Sequence, residues 1–301
     1  MSRITQHHTD SSLTSPPKAP FYQRIKQGIN LSLLLLATTF IAACSDEDKT
    51  VSNSPSTEKS VIKIGTSPGD FGDLVRGYLG PELQKAGYKV ELSEITDIVI
   101  PNLSVEEGSL DLNIFQHKPY MEDFNKNQQG HLVPFIQVPT APYGLYSGKL
   151  KSLDAVKQGA TVGIPSNVTN FSRGLLILEN IGWIKLREGI TDRFRIEKTD
   201  IIDNPYNLNI KEIEAAQMVR VRPDLDYAII NGNFALDAGI HFKEALAIEP
   251  SKHFINWVVT HEKNLDTPWI QEIITILSSE GFKEYSATRF ANYNYPLAWE
   301  Q

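Results

Sequence analysis

The sequence predicts an α/β protein whose two lobes face each other across a cleft. Strand-like and helix-like segments alternate twice along the chain, and a Pro/Gly/Tyr-rich stretch separates the two runs. The length agrees: 301 residues, 41% hydrophobic and 22% charged, suit an ordinary globular chain of about two domains.

The first run opens with a strand at 61–64, then a Gly/Pro-rich turn at 65–72 and a helix to about residue 87. A strand at 88–92, a helix at 103–108 and a strand at 111–115 complete a βαβαβ series, which calls for a parallel sheet covered by helices. In the last strand Leu110, Leu112 and Ile114 alternate with polar residues. Pro119 then takes a first helical position, where its fixed φ suits a helix start. The second run reads as a strand at 160–164, a helix at 170–182, strands at 194–199, 208–214 and 226–231, and a short helix. Residues 138–147 are extended and suited to crossing between lobes, and 246–260 provide the return. Helical periodicity over 268–285 predicts a segment packing back on the first lobe. The expected boundaries are 61–140 with 250–301 for one lobe and 141–249 for the other.

Two stretches could carry chemistry. In 110–120, LDLNIFQHKPY, the residues Phe115, His117 and Tyr120 gather where a strand becomes a helix. Open α/β sheets bind ligands in the crevice outside the carboxyl ends of their strands. For an isolated histidine, capping a turn is the plainer role, and Phe115 alone could be core. In 164–176, IPSNVTNFSRGLL, the residues Ser166, Asn167, Thr169 and Asn170 are all good helix caps. Arg173 would then sit in the first helical turn, misplaced against the macrodipole unless an anion lies near. A helix N-terminus with an arginine suits a carboxylate. From this stretch alone, an exposed arginine beside an ordinary cap is the simpler reading. Asn231, before Gly232, reads first as a turn residue. Asn256, in a β-rich apolar run, needs buried partners because an unpaired buried amide is costly.

Net charge is −7, and residues 1–43 contain four bases and one acid. The remainder stands at about −10, a poor match for nucleic acid. Cys44 is the only cysteine, which excludes an internal disulfide or a thiolate cluster. Arg24 and Lys26 precede an apolar run at 29–43 with four consecutive leucines, ending Ile41-Ala42-Ala43-Cys44. The run is too short to span a bilayer, which takes about 20 apolar residues. It looks like a bacterial lipobox: a signal peptide over 1–43, lipidation at Cys44, and a polar tether over 44–60. His131, His241, His253 and His261 are scattered with no HExxH spacing, and no hydrolase elbow, Walker loop or dinucleotide fingerprint is present. An enzyme is therefore not expected.

Phe115-Gln116-His117-Lys118-Pro119-Tyr120 closely resembles the signature of the NlpA/MetQ lipoproteins, the substrate-binding subunits of methionine-type ABC importers. Pro165, Thr169, Asn170 and Arg173 match that family's Pro-Asn-Asp-Pro-Thr-Asn-Leu-Gly-Arg segment. Ser166, Asn167, Val168 and Ser172 depart from it. Asn204-Pro205, Asn207-Leu208, Glu214-Ala215 with Gln217, and Ile230-Asn231 match as well, so the resemblance spans about 62–300. It implies a periplasmic-binding-protein type II-like fold and a monomer without cofactor. Its ligand would be a small amino acid, methionine favoured, delivered to a permease and its ATPase, with the membrane reached through the N-terminal lipid. Phe115, His117 and Tyr120 would line the side-chain pocket, where aromatics suit a thioether. Asn170 and Arg173 would take the carboxylate, and Asn231 and Asn256 the polar head. Ile98 stands where the family's Asn-Asp-Tyr-Val-Leu-Pro-Asn segment has a pocket tyrosine. That change reshapes the pocket and leaves another small molecule, a dipeptide, or a non-transport surface role as alternatives.

Overall fold

A computed structural model describes residues 60–300. The signal peptide, Cys44 and the tether before Ser60 lie outside the described residues. The first lobe starts with β1 (Val61–Thr66) and continues through α1 (Asp70–Leu74), a π turn at Val75–Leu79 and α2 (Gly80–Lys85). Pro81 accounts for the wide turn: it offers no N–H, and its ring crowds the carbonyl four residues earlier. Then come β2 (Lys89–Glu94), α3 (Ile100–Glu107), β3 (Leu112–His117), α4 (Lys118–Gln128) and β4 (Leu132–Gln137).

The chain crosses over and forms β5 (Gly144–Ser147), β6 (Thr161–Pro165), α5 (Val168–Asn180) and the small pair β7 (Lys185–Leu186) and β8 (Ile201–Asp203). There follow β9 (Asn209–Ile213), α6 (Met218–Val221), β10 (Tyr227–Ile230), α7 (Gly232–Asp237) and β11 (Ala247–Ile248). The return brings β12 (Asn256–His261), α8 (Pro268–Ser278) and α9 (Glu280–Arg289).

Two five-stranded sheets result, ordered β2-β1-β3-β12-β4 and β11-β5-β10-β6-β9. β12 inserts antiparallel between β3 and β4, and this is what requires a second crossing. Ile62, Ile64, Leu112 and Ile114 pack against Phe71 and Leu74 and against Ile273 and Phe282 of the returning helices. In β10, Tyr227 and Ile229 enter one core while Ala228 and Ile230 enter another, so both faces are covered.

The structure corrects several sequence expectations. Residues 194–199 form no strand; they are loop ending in a 3-10 turn at Lys198–Asp200. The Asp200 carboxylate accepts the Glu197 N–H at 2.8 Å, a local bond that competes with strand pairing. The 268–285 helix breaks at Ser279, whose hydroxyl caps a new helix by accepting the Phe282 N–H at 3.1 Å. α5 begins at Val168, so Arg173 lies in its second turn and not its first. β4 went unforeseen; its Pro134 is tolerated because β4 is an edge strand.

Candidate ligand-binding site

Between the lobes lies a cavity of about 40 Å³. Phe115, His117, Tyr120, Asn170, Arg173, Asn231 and Asn256 all line it, as does Ile98. The fold thus gathers side chains from β3, α4, α5, β12 and the end of β10.

His117 closes β3 and caps α4, its Nδ1 accepting the Tyr120 N–H at 3.2 Å. That bond leaves the hydrogen on Nε2, which faces Asn170 Oδ1 at 3.2 Å across the cleft. Burial, and secondarily the Arg173 charge, hold its pKa well below the usual histidine range, so the ring is neutral. Asn167 caps α5 by accepting the Asn170 backbone N–H at 3.0 Å. Asn170 Oδ1 then accepts from Arg173 Nη1 (2.7 Å), His117 Nε2 and Asn231 Nδ2 (3.3 Å).

Arg173 follows one turn along α5 and is only 4% exposed, which overturns the reading of an exposed arginine. Its guanidinium lies between the Tyr143 and Phe254 rings, 4.2 and 4.5 Å from their centroids. Its countercharge is Glu249: Nε donates to Oε2 at 2.9 Å, and Nη2 donates to Oε1.

Asn231 precedes α7, and its Oδ1 is buried without a partner. Gly232 permits this placement, because a Cβ there would fall 2.5 Å from Ala141 Cβ and 2.6 Å from the Pro142 carbonyl. Asn256 donates its side-chain N–H to the Phe115 carbonyl at 2.9 Å, and its backbone N–H to Thr140 Oγ1 at 2.7 Å. It therefore ties the two crossovers to the end of β3. Phe115 and Tyr120 meet edge-on at 6.0 Å, and the Tyr120 hydroxyl donates to the Ile98 carbonyl at 2.8 Å. The Ile98 side chain packs on the core around Tyr146 and Ile230.

Sequence reasoning missed Glu249, Tyr143 and Phe254, whose partners lie far away in the chain. It also missed Gln116, which lines the cavity and is held by Asn102 and Asn113 in a buried amide network. A second interlobe bond, Asn233 Nδ2 to Ser67 Oγ at 3.1 Å, closes the cleft beside it. Beyond Arg173 and Phe254 lies a cavity of about 670 Å³. The smaller cavity presents the Arg173 guanidinium, a free acceptor on Asn231 and an aromatic side, a set matched to a zwitterion with an apolar side chain.

The family model for the NlpA lipoprotein matches residues 62–298. The chain belongs to the NlpA lipoprotein family. Among its relatives is the D-methionine-binding lipoprotein MetQ of Salmonella typhi, 32% identical over 269 residues, 88% of this chain and 95% of that one. A nutrient-binding protein from Burkholderia cenocepacia, solved bound to methionine, superposes with a TM-score of 0.72 at 35% identity, covering 77% of this chain and 97% of that one. A periplasmic substrate-binding protein of an ABC transporter from Coxiella burnetii gives 0.70 at 31% identity, covering 76% and 97%. The NlpA chain therefore has the two-lobe periplasmic-binding-protein fold expected of it. Among the described residues no helix is long and apolar enough to cross a membrane.

Proposed function

We propose that this NlpA-family chain binds methionine or a closely related small amino acid between lobes 61–140/250–301 and 141–249, and hands it to an ABC permease and its ATPase. The work is binding and domain closure, with no covalent step. Lipidation at Cys44 would hold the monomer to the membrane on the extracytoplasmic face, with residues up to 60 as tether. The observation carrying this reading is the cavity itself. The Arg173 guanidinium lies there against Asn170 Oδ1, which accepts from it, and Asn231 Oδ1 is a buried acceptor with no partner. Such an acceptor suits a ligand ammonium, and the Arg173 N–H groups not taken by Glu249 suit its carboxylate. The methionine-bound relative and the named MetQ proteins support methionine.

Calorimetry with D- and L-methionine tests the reading. Binding by the wild-type chain, lost by about a hundredfold or more in Arg173→Ala, is the expected result. Unchanged affinity in that variant would show the carboxylate assignment to be wrong. A second reading, a longer ligand such as a dipeptide, is favoured by Ile98 and by the 670 Å³ cavity beyond Arg173. Native mass spectrometry of freshly purified protein separates the two by the retained mass.

A further inference from the structure

His131 and His261, scattered in the sequence, are neighbours in the fold. β12 pairs antiparallel with β4 so that His261 lies opposite Leu132, and the Glu262 N–H donates to the His131 carbonyl at 2.9 Å. The two rings stack with centroids 5.6 Å apart and planes 16° apart. Glu106, next to last in α3, reaches over them. Its Oε1 is 2.8 Å from His131 Nδ1 and 3.8 Å from His261 Nε2, while its Oε2 accepts the His131 backbone N–H at 2.9 Å. One ligating atom from each residue lies within 4.8 Å of the other two.

We propose that Glu106, His131 and His261 form a binding site for a borderline first-row divalent ion, zinc above all, that pins the end of α3 to the ends of β4 and β12. Ligand atoms about 2.0–2.1 Å from a tetrahedral zinc stand roughly 3.4 Å apart, and the 2.8 and 3.8 Å separations here bracket that spacing. The three residues sit on two strand ends and a helix end, which limits how far they must move. The backbone N–H of His131 already orients the carboxylate, as an outer-shell partner should. Two imidazoles and one carboxylate select zinc-like ions over magnesium or calcium, and leave a fourth position for water.

Two bonds oppose the site, the first being the hydrogen that His131 Nδ1 donates to Glu106 Oε1 at 2.8 Å, which must leave before that nitrogen can ligate. His261 Nδ1 accepts the Lys263 N–H at 3.1 Å, and a metal on Nε2 would put the ring hydrogen on Nδ1 and end that contact. Two hydrogen bonds are a modest cost against a micromolar site. His131 is 54% exposed, so the ion has a way in. The site lies at the far end of β12 from Asn256, roughly 16 Å away at strand spacing, and is distinct from the interlobe cavity.

The test uses the full chain in detergent, stripped of metal, with His7 and His8 changed to alanine throughout so that the leader contributes no imidazole. Titration with zinc sulfate should show one equivalent bound at micromolar or tighter affinity. Glu106→Gln, His131→Gln and His261→Gln should each weaken it by about tenfold or more. Cobalt(II) should give a tetrahedral visible band that vanishes in His131→Gln, with far-ultraviolet circular dichroism showing each variant folded. Absence of saturable zinc binding by the parent chain, or unchanged affinity in either histidine variant, overturns the proposal.

Discussion

Arg173 on α5 and Glu249 at the start of the second crossover form a two-point ion pair, each side chain only 5% exposed. The pair occupies the bidentate edge of the guanidinium, the edge that would otherwise grip a ligand carboxylate. A ligand must therefore use the N–H groups beside Asn170 or displace Glu249. Both lobes line the cavity and are bonded across it, so they must also part to admit an amino acid. Parting breaks the His117–Asn170 and Ser67–Asn233 bonds, and closure around a ligand remakes them.

Glu249→Gln should therefore act in opposite directions on stability and on ligand response. Removing one charge of a buried pair typically costs about 3–5 kcal/mol, and the ligand-free variant should lose stability of that order in urea unfolding. A ligand carboxylate would then supply the missing countercharge, so the thermal shift on adding methionine should exceed that of the wild type. A loss of stability with no larger shift would mean that the ligand carboxylate does not take the place of Glu249 on Arg173.

Asn231 gives a cleaner separation of binding from folding. Its Oδ1 is buried and unpaired, and its Nδ2 bond to Asn170 is long at 3.3 Å. Asn231→Leu removes an unsatisfied polar atom, so ligand-free stability should stay level or rise. Loss of the acceptor should weaken ligand binding by about 2 kcal/mol, roughly thirtyfold. Calorimetry and urea unfolding on the same preparation check both halves. Falling stability with intact affinity would assign Asn231 to the fold alone.

The alternation of short apolar runs with helical periods was enough to read most strands of both sheets, because buried strands such as Tyr227–Ile230 are apolar at every position. Chain order also hinted at the crossovers. Residues 194–199 misled because Phe194 and Ile196 alternate like a strand while Asp192 and Asp200 tie the backbone locally. In the site, residues on a strand-to-helix turn were readable from local pattern: His117 caps α4, and Asn170 lies in the first turn of α5 beside its cap Asn167. Glu249 and Phe254 were not, since nothing in a crossover's own sequence says which arginine it will cover. His131 and His261 show the same limit, being joined only by the β4–β12 register.

Asn167 offers a stabilising change. Its Oδ1 caps α5, a helix of 13 residues, while its Nδ2 is buried without a partner. Asn167→Asp keeps the acceptor, removes the orphan donor and sets a negative charge at the positive end of the helix, worth about 0.5–1 kcal/mol. Urea unfolding near neutral pH should show that gain. A loss would mean that the carboxylate's desolvation outweighs the dipole.

Asp70 should make stability depend on pH. It opens α1 after Gly69, whose φ is 92°, and the residue is 4% exposed. Oδ1 accepts the Phe71 N–H at 3.0 Å, while Oδ2 has no partner. Burial pushes the carboxyl up to about 7, against the pull of the Phe71 N–H and Arg289; Asp73 pushes weakly the same way. Because the folded state holds this proton more tightly than the unfolded chain does, the associated stability is complete below the unfolded value of 3.8 and is lost as pH rises to about 7. His117 works in reverse, since its lowered pKa removes stability as the solution is acidified. Comparing Asp70→Asn with the wild type isolates Asp70, because His117 is common to both. The asparagine resembles the protonated acid at every pH. The variant should match the wild type near pH 4 and exceed it by about 4 kcal/mol, an upper figure for roughly three pKa units, by pH 8. Urea unfolding at pH 4.5, 6 and 8 provides the test, and parallel stability profiles for the two proteins would show that Asp70 ionises freely in the folded chain.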